Sequence, residues 1–90
     1  MNKKRYSQIP IHEYRIKYLT KNATIPSYHY YMCEDANQAI EFQIEMAKHR
    51  KWEFEILKVE KFNKYSNRWE DESFVLNEDN KHITKDMHDE

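Results

Sequence analysis

His29 and Cys33 are the residue types of a base and a nucleophile, in which an imidazole would take the proton of a thiol. They fall in a run that reads as a strand, where four residues span about 13 Å, too far for that transfer. Cys33 is better read as a small buried residue at a strand–helix junction. His82, Asp86, His88, Asp89 and Glu90 are metal-ligand types, but no pair has zinc-site spacing on a rigid element. Glu41 and Glu45 share a polar helix face with Lys48 and read as local ion pairs. No catalytic, cofactor or metal constellation assembles, so the chain is expected to be non-enzymatic.

Recognition chemistry is better represented. Lys58, Lys61, Lys64 and Arg68 interleave with Phe62, Tyr65 and Trp69, a mixture that can neutralise phosphates and stack bases. The acidic run Glu70-Asp71-Glu72 follows at once and opposes it. A second basic and aromatic set forms if Tyr31 and His29 share a sheet face with Arg15 and Lys17. Glu53 and Glu55 are expected on that same face, and 15 bases against 16 acids leave no basic excess for phosphate. Nucleic acid is therefore the alternative partner, bound by this hairpin or the open sheet.

The aromatic surplus favours a protein partner. Tyr28, Tyr30, Tyr31, Tyr65 and Trp69 exceed what a small core easily hides, and Tyr and Trp are preferred interface anchors. Phe42 and Met46 flank the apolar stripe of a helix. The expected contact residues are Tyr31, Phe42, Met46, Lys61, Tyr65, Arg68 and Trp69, with a homodimer through Phe42 and Met46 as one arrangement. The competing reading is that the core consumes all these rings.

No glycine occurs in the chain, where average usage would supply about six. That absence closes the phosphate-cradling loop, the dinucleotide fingerprint and the nucleophile elbow, each of which needs backbone that glycine tolerates. Enrichment in Lys, Asn, Ile, Tyr, Phe and Met, with few Gly, Ala and Pro, matches an A/T-rich coding bias, as in a phage, plasmid or streamlined microbe. Charge is segregated: residues 1–21 carry six bases against Glu13, and residues 70–90 carry eight acids against Lys81 and Lys85. Such ends can contact partners or simply be solvated. The lone cysteine, the absence of a membrane-length apolar run and the lack of a signal-peptide core give an expectation of cytoplasmic localisation.

These residues must be positioned by few elements. His12–Thr20 alternates as a half-buried strand with Tyr14, Ile16 and Tyr18 on one side. Residues 21–24 form a turn in which Asn22 can take the left-handed conformation, and Ser27–Cys33 gives a second strand of a hairpin. Asp35 is an N-cap, paired with Gln38, for a helix over Ala36–Lys51 that ends in basic residues. Ala36, Ala39, Ile40, Ile44 and Ala47 form its core stripe. A third strand starts at Trp52, and its parity slips at Ile56-Leu57, which predicts a bulge or burial on both faces. After a turn at 63–67, Trp69 lies on a fourth strand, with a little more strand expected at 74–76.

The resulting fold is α+β, a ββαββ domain with an antiparallel sheet in the order 2-1-3-4 and one helix on one face. Residues 10–76 would be the domain, 1–9 a flexible basic start and 77–90 an acidic, disordered tail. On the open face, Arg15 and Lys17 are expected to pair with Glu53 and Glu55. The strand pair ending in Cys33-Glu34-Asp35-Ala36, the amphipathic helix and the Trp52–Phe62 strand loosely resemble small phage and bacterial accessory proteins. The resemblance covers about half the chain, rests on no specific motif and transfers no site residues. The expected function is accordingly that of an accessory protein that binds another protein, such as a phage-encoded modulator or inhibitor of a host complex.

Overall fold

The computed structural model describes residues 10–83, and their fold is α+β. Alternation of Tyr14, Ile16 and Tyr18 with charged residues produces β1 (His12–Thr20). A turn with Asn22 at φ 73° returns the chain as β2 (Ser27–Cys33), antiparallel to β1. Asp35 then caps α1 (Ala36–Arg50), its Oδ1 accepting from the Gln38 N–H at 2.9 Å. Gln38 reaches back one residue further than a standard capping box, accepting from the Glu34 N–H at 2.9 Å. Three basic residues end the helix, and Lys51 closes it at φ 58°, a left-handed position usually given to glycine.

Strands β3 (Phe54–Asn63) and β4 (Arg68–Asp71) form the second hairpin. Its turn is held by Asn63 Oδ1, which accepts from the N–H groups of Tyr65 and Ser66, and by Asn67 at φ 60°. The sheet order is β2-β1-β3-β4, as the pattern predicts, and α1 covers one face. The core is a match of small against large. Ala36, Ala39 and Ala47 let α1 approach the sheet closely, and Tyr14, Ile16, Tyr18, Phe54, Ile56 and Val59 fill the space beneath.

The bulge expected at Ile56-Leu57 is present. Lys17 lies opposite Lys58 and Tyr18 opposite Ile56, leaving Leu57 unpaired against β1. Leu57 does not face with Val59; it is exposed, while Val59 is fully buried. The extra residue keeps Phe54 and Ile56 on the helix side before the bulge and returns Val59 to that side after it.

Two features beyond β4 differ from expectation. Residues Ser73–Val75 form a short 3₁₀ turn rather than a strand. Asp71 Oδ1 accepts from both the N–H and the hydroxyl of Ser73, and Ser73 Oγ in turn accepts from the Val59 N–H at 3.0 Å. The side chain thus takes over a ladder bond at the point where β4 leaves β3, which turns the chain inward and packs Val75 and Leu76 against the core. The second feature is β5 (His82–Ile83), paired with Phe54 and Glu55 of β3. Ordered structure therefore passes the boundary expected at residue 76; residues 1–9 and 84–90, the expected basic start and end of the tail, lie outside the described residues.

Truncation after Leu76 should cost about 1–2 kcal/mol in urea unfolding, since it removes several backbone bonds from β3. One is Ile56 N–H to Lys81 O at 2.6 Å, and the side-chain bond from Asn80 Nδ2 to Val75 O outside the sheet is lost with them. An unchanged urea midpoint would show that β5 rests on the sheet without supporting it.

Candidate functional site

The face of the sheet away from α1 has no layer over it among the described residues. Register decides what it carries. Arg15 lies opposite Tyr30 and Lys17 opposite Tyr28 on β2, while on β3 Arg15 lies opposite Glu60 and Lys17 opposite Lys58. Phe62 and Trp69 face each other across the second hairpin. The open face is thus a band of Tyr28, Tyr30, Phe62 and Trp69 around Arg15.

Arg15 organises this band. Its guanidinium carbon is 4.7 Å from the Tyr28 ring centre and 4.3 Å from that of Trp69, so two rings hold it from either side. Its Nε donates to Glu60 Oε1 at 2.6 Å. Lys58 approaches the other carboxylate oxygen of Glu60 at 3.5 Å. Burial would push the Glu60 carboxyl up, but the hydrogen bond and charge of Arg15, with Lys58, outweigh it and hold it below its ordinary value. Trp69 also packs edge-on to Phe62 (5.2 Å) and Tyr30 (5.9 Å), and Tyr30 stays 56% exposed. These contacts fix rotamers before any partner arrives, which lowers the entropy cost of binding.

The helix-covered side holds a different polar group. Tyr31 lies opposite Tyr14 and His29 opposite Ile16, so both turn towards α1 and not, as expected, towards Arg15 and Lys17. There the Tyr31 hydroxyl donates to Gln43 Oε1, and His29 Nδ1 donates to the same oxygen at 3.0 Å. That assignment leaves His29 Nε2 to accept from the Tyr18 hydroxyl at 3.1 Å. Burial above all, with Tyr18 nearby, pushes the Tyr31 hydroxyl up to about 12, so it stays a neutral donor. Trp52 stacks on His29 at 6.2 Å and 17°.

The expected contact residues therefore divide among several surfaces. Tyr31 is half-buried beneath α1, beside the exposed Phe42, while Met46 is a half-buried helix residue. Lys61 lies opposite Tyr14 and Arg68 opposite Asn63, on the parity of the helix side. Tyr65, at the hairpin tip, is 91% exposed and belongs to no core. Lys61 and Tyr65 line an open groove of about 720 Å³ with Ile11, His12, Met32 and Phe62. Trp69 alone of the set sits in the aromatic band. Nor do Arg15 and Lys17 pair with Glu53 and Glu55: Glu53 precedes β3 and meets Lys21 at 3.6 Å, because the bulge brings Glu60 opposite Arg15 instead.

Cys33 is buried at the β2–α1 junction, its Sγ donating to Asp35 O at 3.4 Å, and burial pushes its thiol up, away from nucleophile chemistry. His82 is exposed, and the other metal-ligand types of the tail lie outside the described residues. Among the described residues no three His, Cys, Asp or Glu side chains gather as a metal site, and no helix is long and apolar enough to cross a membrane. The chain matches no protein-family model, no curated protein and no solved structure.

Proposed function

We propose that this chain is a non-enzymatic accessory protein that binds another protein through its open sheet face. The observation that supports this most is the Arg15-centred band of Tyr28, Tyr30, Phe62 and Trp69, with nothing packed over it among the described residues. Trp, Tyr and Arg in one contiguous, preordered cluster are the residue types that anchor protein interfaces. The A/T-biased composition suits a phage-encoded modulator or inhibitor of a host complex, acting in the cytoplasm.

A nucleic-acid partner is the second reading, and one observation favours it. Lys17 and Lys58 face each other across β1 and β3, beside the Tyr28 ring. Like charges directly opposite are unfavourable and would welcome an anion between them. Glu60 and the acidic end of β4 count against a phosphate chain running further across the face.

The two are separated by recovering tagged protein from host lysate after nuclease treatment and a moderate-salt wash. A stoichiometric protein that survives both, and is lost with the Tyr30→Ala/Trp69→Ala double variant, is the expected result. Its affinity should fall by about 30-fold or more, the effect of removing an interface anchor. Recovery that vanishes with nuclease or salt would move the nucleic-acid reading to first place.

A further inference from the structure

The two edges of the sheet are built in opposite ways. β4 is four residues long, and three of them, Arg68, Glu70 and Asp71, are charged. Short, charged edges resist pairing with another chain. β2 is the other edge, seven residues reading Ser-Tyr-His-Tyr-Tyr-Met-Cys, with no Lys, Arg, Asp, Glu or Pro and no register shift against β1. Among the described residues it has none of the usual devices that keep an edge solitary. Every second residue of such a strand points its N–H and C=O outward, unpaired.

Apolar side chains flank that edge on both faces. On the open side Tyr28, Tyr30 and Met32 are 38%, 56% and 64% exposed. On the helix side Phe42 packs against Tyr31 of β2 at 5.9 Å and remains 42% exposed, so an apolar ring overhangs the same strand. A chain docking along β2 would cover all four.

We propose that β2 pairs antiparallel with β2 of a second copy of this chain, joining two sheets into one continuous sheet across a two-fold axis at Tyr30. The strand is self-complementary in that register. Tyr30 meets its own copy, Tyr28 lies across from Met32, His29 from Tyr31 and Ser27 from Cys33, so all seven residues pair. No Lys, Arg, Asp or Glu side chain meets its like, because the strand has none, and His29 lies across from Tyr31 and not from its own copy. The four flanking apolar side chains present roughly 400 Å² per copy. With the strand backbone, the pair buries about 1,000 Å², the lower bound of a specific interface. The dimer covers Tyr28 and Tyr30 at one end of the open-face band and leaves Arg15, Phe62 and Trp69 for the partner proposed above. It stands independently of that partner's identity.

Sedimentation velocity over a concentration series tests this on the full chain, with Met32→Lys, opposite Glu13 of β1, and Phe42→Lys as variants at exposed positions. The expected result is a concentration-dependent dimer whose dissociation constant rises about tenfold or more in each variant. Thermal midpoints measured at low concentration should be unchanged. Amide exchange on the unmodified chain gives a second reading: protection within residues 27–33 should grow with concentration. A monomer at every concentration, or a dimer indifferent to both lysines, would overturn the proposal. A dimer whose exchange protection grows elsewhere but not in β2 would overturn it as well.

Discussion

Exchange of Gln43 for alanine is expected to lower the free energy of unfolding by about 3 kcal/mol. Gln43 is 0% exposed, and its side-chain oxygen accepts from two groups, the Tyr31 hydroxyl and His29 Nδ1. Alanine removes packed volume and strips both donors of their acceptor beneath α1. The amide nitrogen, by contrast, has no hydrogen-bond partner among the described residues. Leucine at the same position separates these effects. It refills the volume and abolishes the unpartnered nitrogen, but accepts no hydrogen bond, so a smaller loss of about 1–2 kcal/mol is expected. Urea unfolding of the two variants gives the comparison. A leucine variant more stable than the parent would mean that the buried nitrogen costs more than two accepted bonds contribute, and the polar group would then owe its presence to something other than stability.

Gln43 is also a part of the fold that the residue pattern makes legible. The apolar stripe runs through Ala36, Ala39, Ile40, Ile44 and Ala47, and helical spacing places position 43 in its middle. A polar residue there must be satisfied from the sheet, and β2 offers a histidine and a tyrosine two residues apart to do it. The phase of β2 could not be read from the strand alone. Tyr28 to Met32 is an unbroken aromatic and apolar run, so no alternation distinguishes its faces. Pairing with β1 decides it, since Tyr31 opposite Tyr14 and His29 opposite Ile16 must follow those core residues inward. β1, α1 and the order 2-1-3-4 were legible because each carries its own periodicity or cap. The Arg15–Glu60 pair was not, because a single unpaired residue, Leu57, shifts the register by one and brings Glu60 rather than Val59 across from Arg15.

Removal of Arg15 should be the most damaging change on the open face, about 3 kcal/mol at neutral pH, and removal of Glu60 a milder one, about 1–2 kcal/mol. The asymmetry follows from exposure. The Glu60 side chain is 9% exposed, so Arg15→Ala leaves a largely buried carboxylate with only Lys58, at 3.5 Å, to offset its charge. The Arg15 side chain is more accessible, and in Glu60→Ala it keeps the Tyr28 and Trp69 rings while its guanidinium turns to water. Acid changes the comparison. In the parent, the Glu60 carboxyl is held below its ordinary value, so its contribution is present above the unfolded value and is lost as pH falls through the folded one. In Arg15→Ala, burial is no longer outweighed by Arg15 and pushes the same carboxyl up. That variant then gains protons on folding and recovers stability as pH falls. The gap between the two proteins should therefore narrow from about pH 7 to about pH 3, measured by urea unfolding at each pH. A gap independent of pH would assign the role of Arg15 to its packing between the two rings. The charge would then be dispensable to the fold and available to a partner's carboxylate.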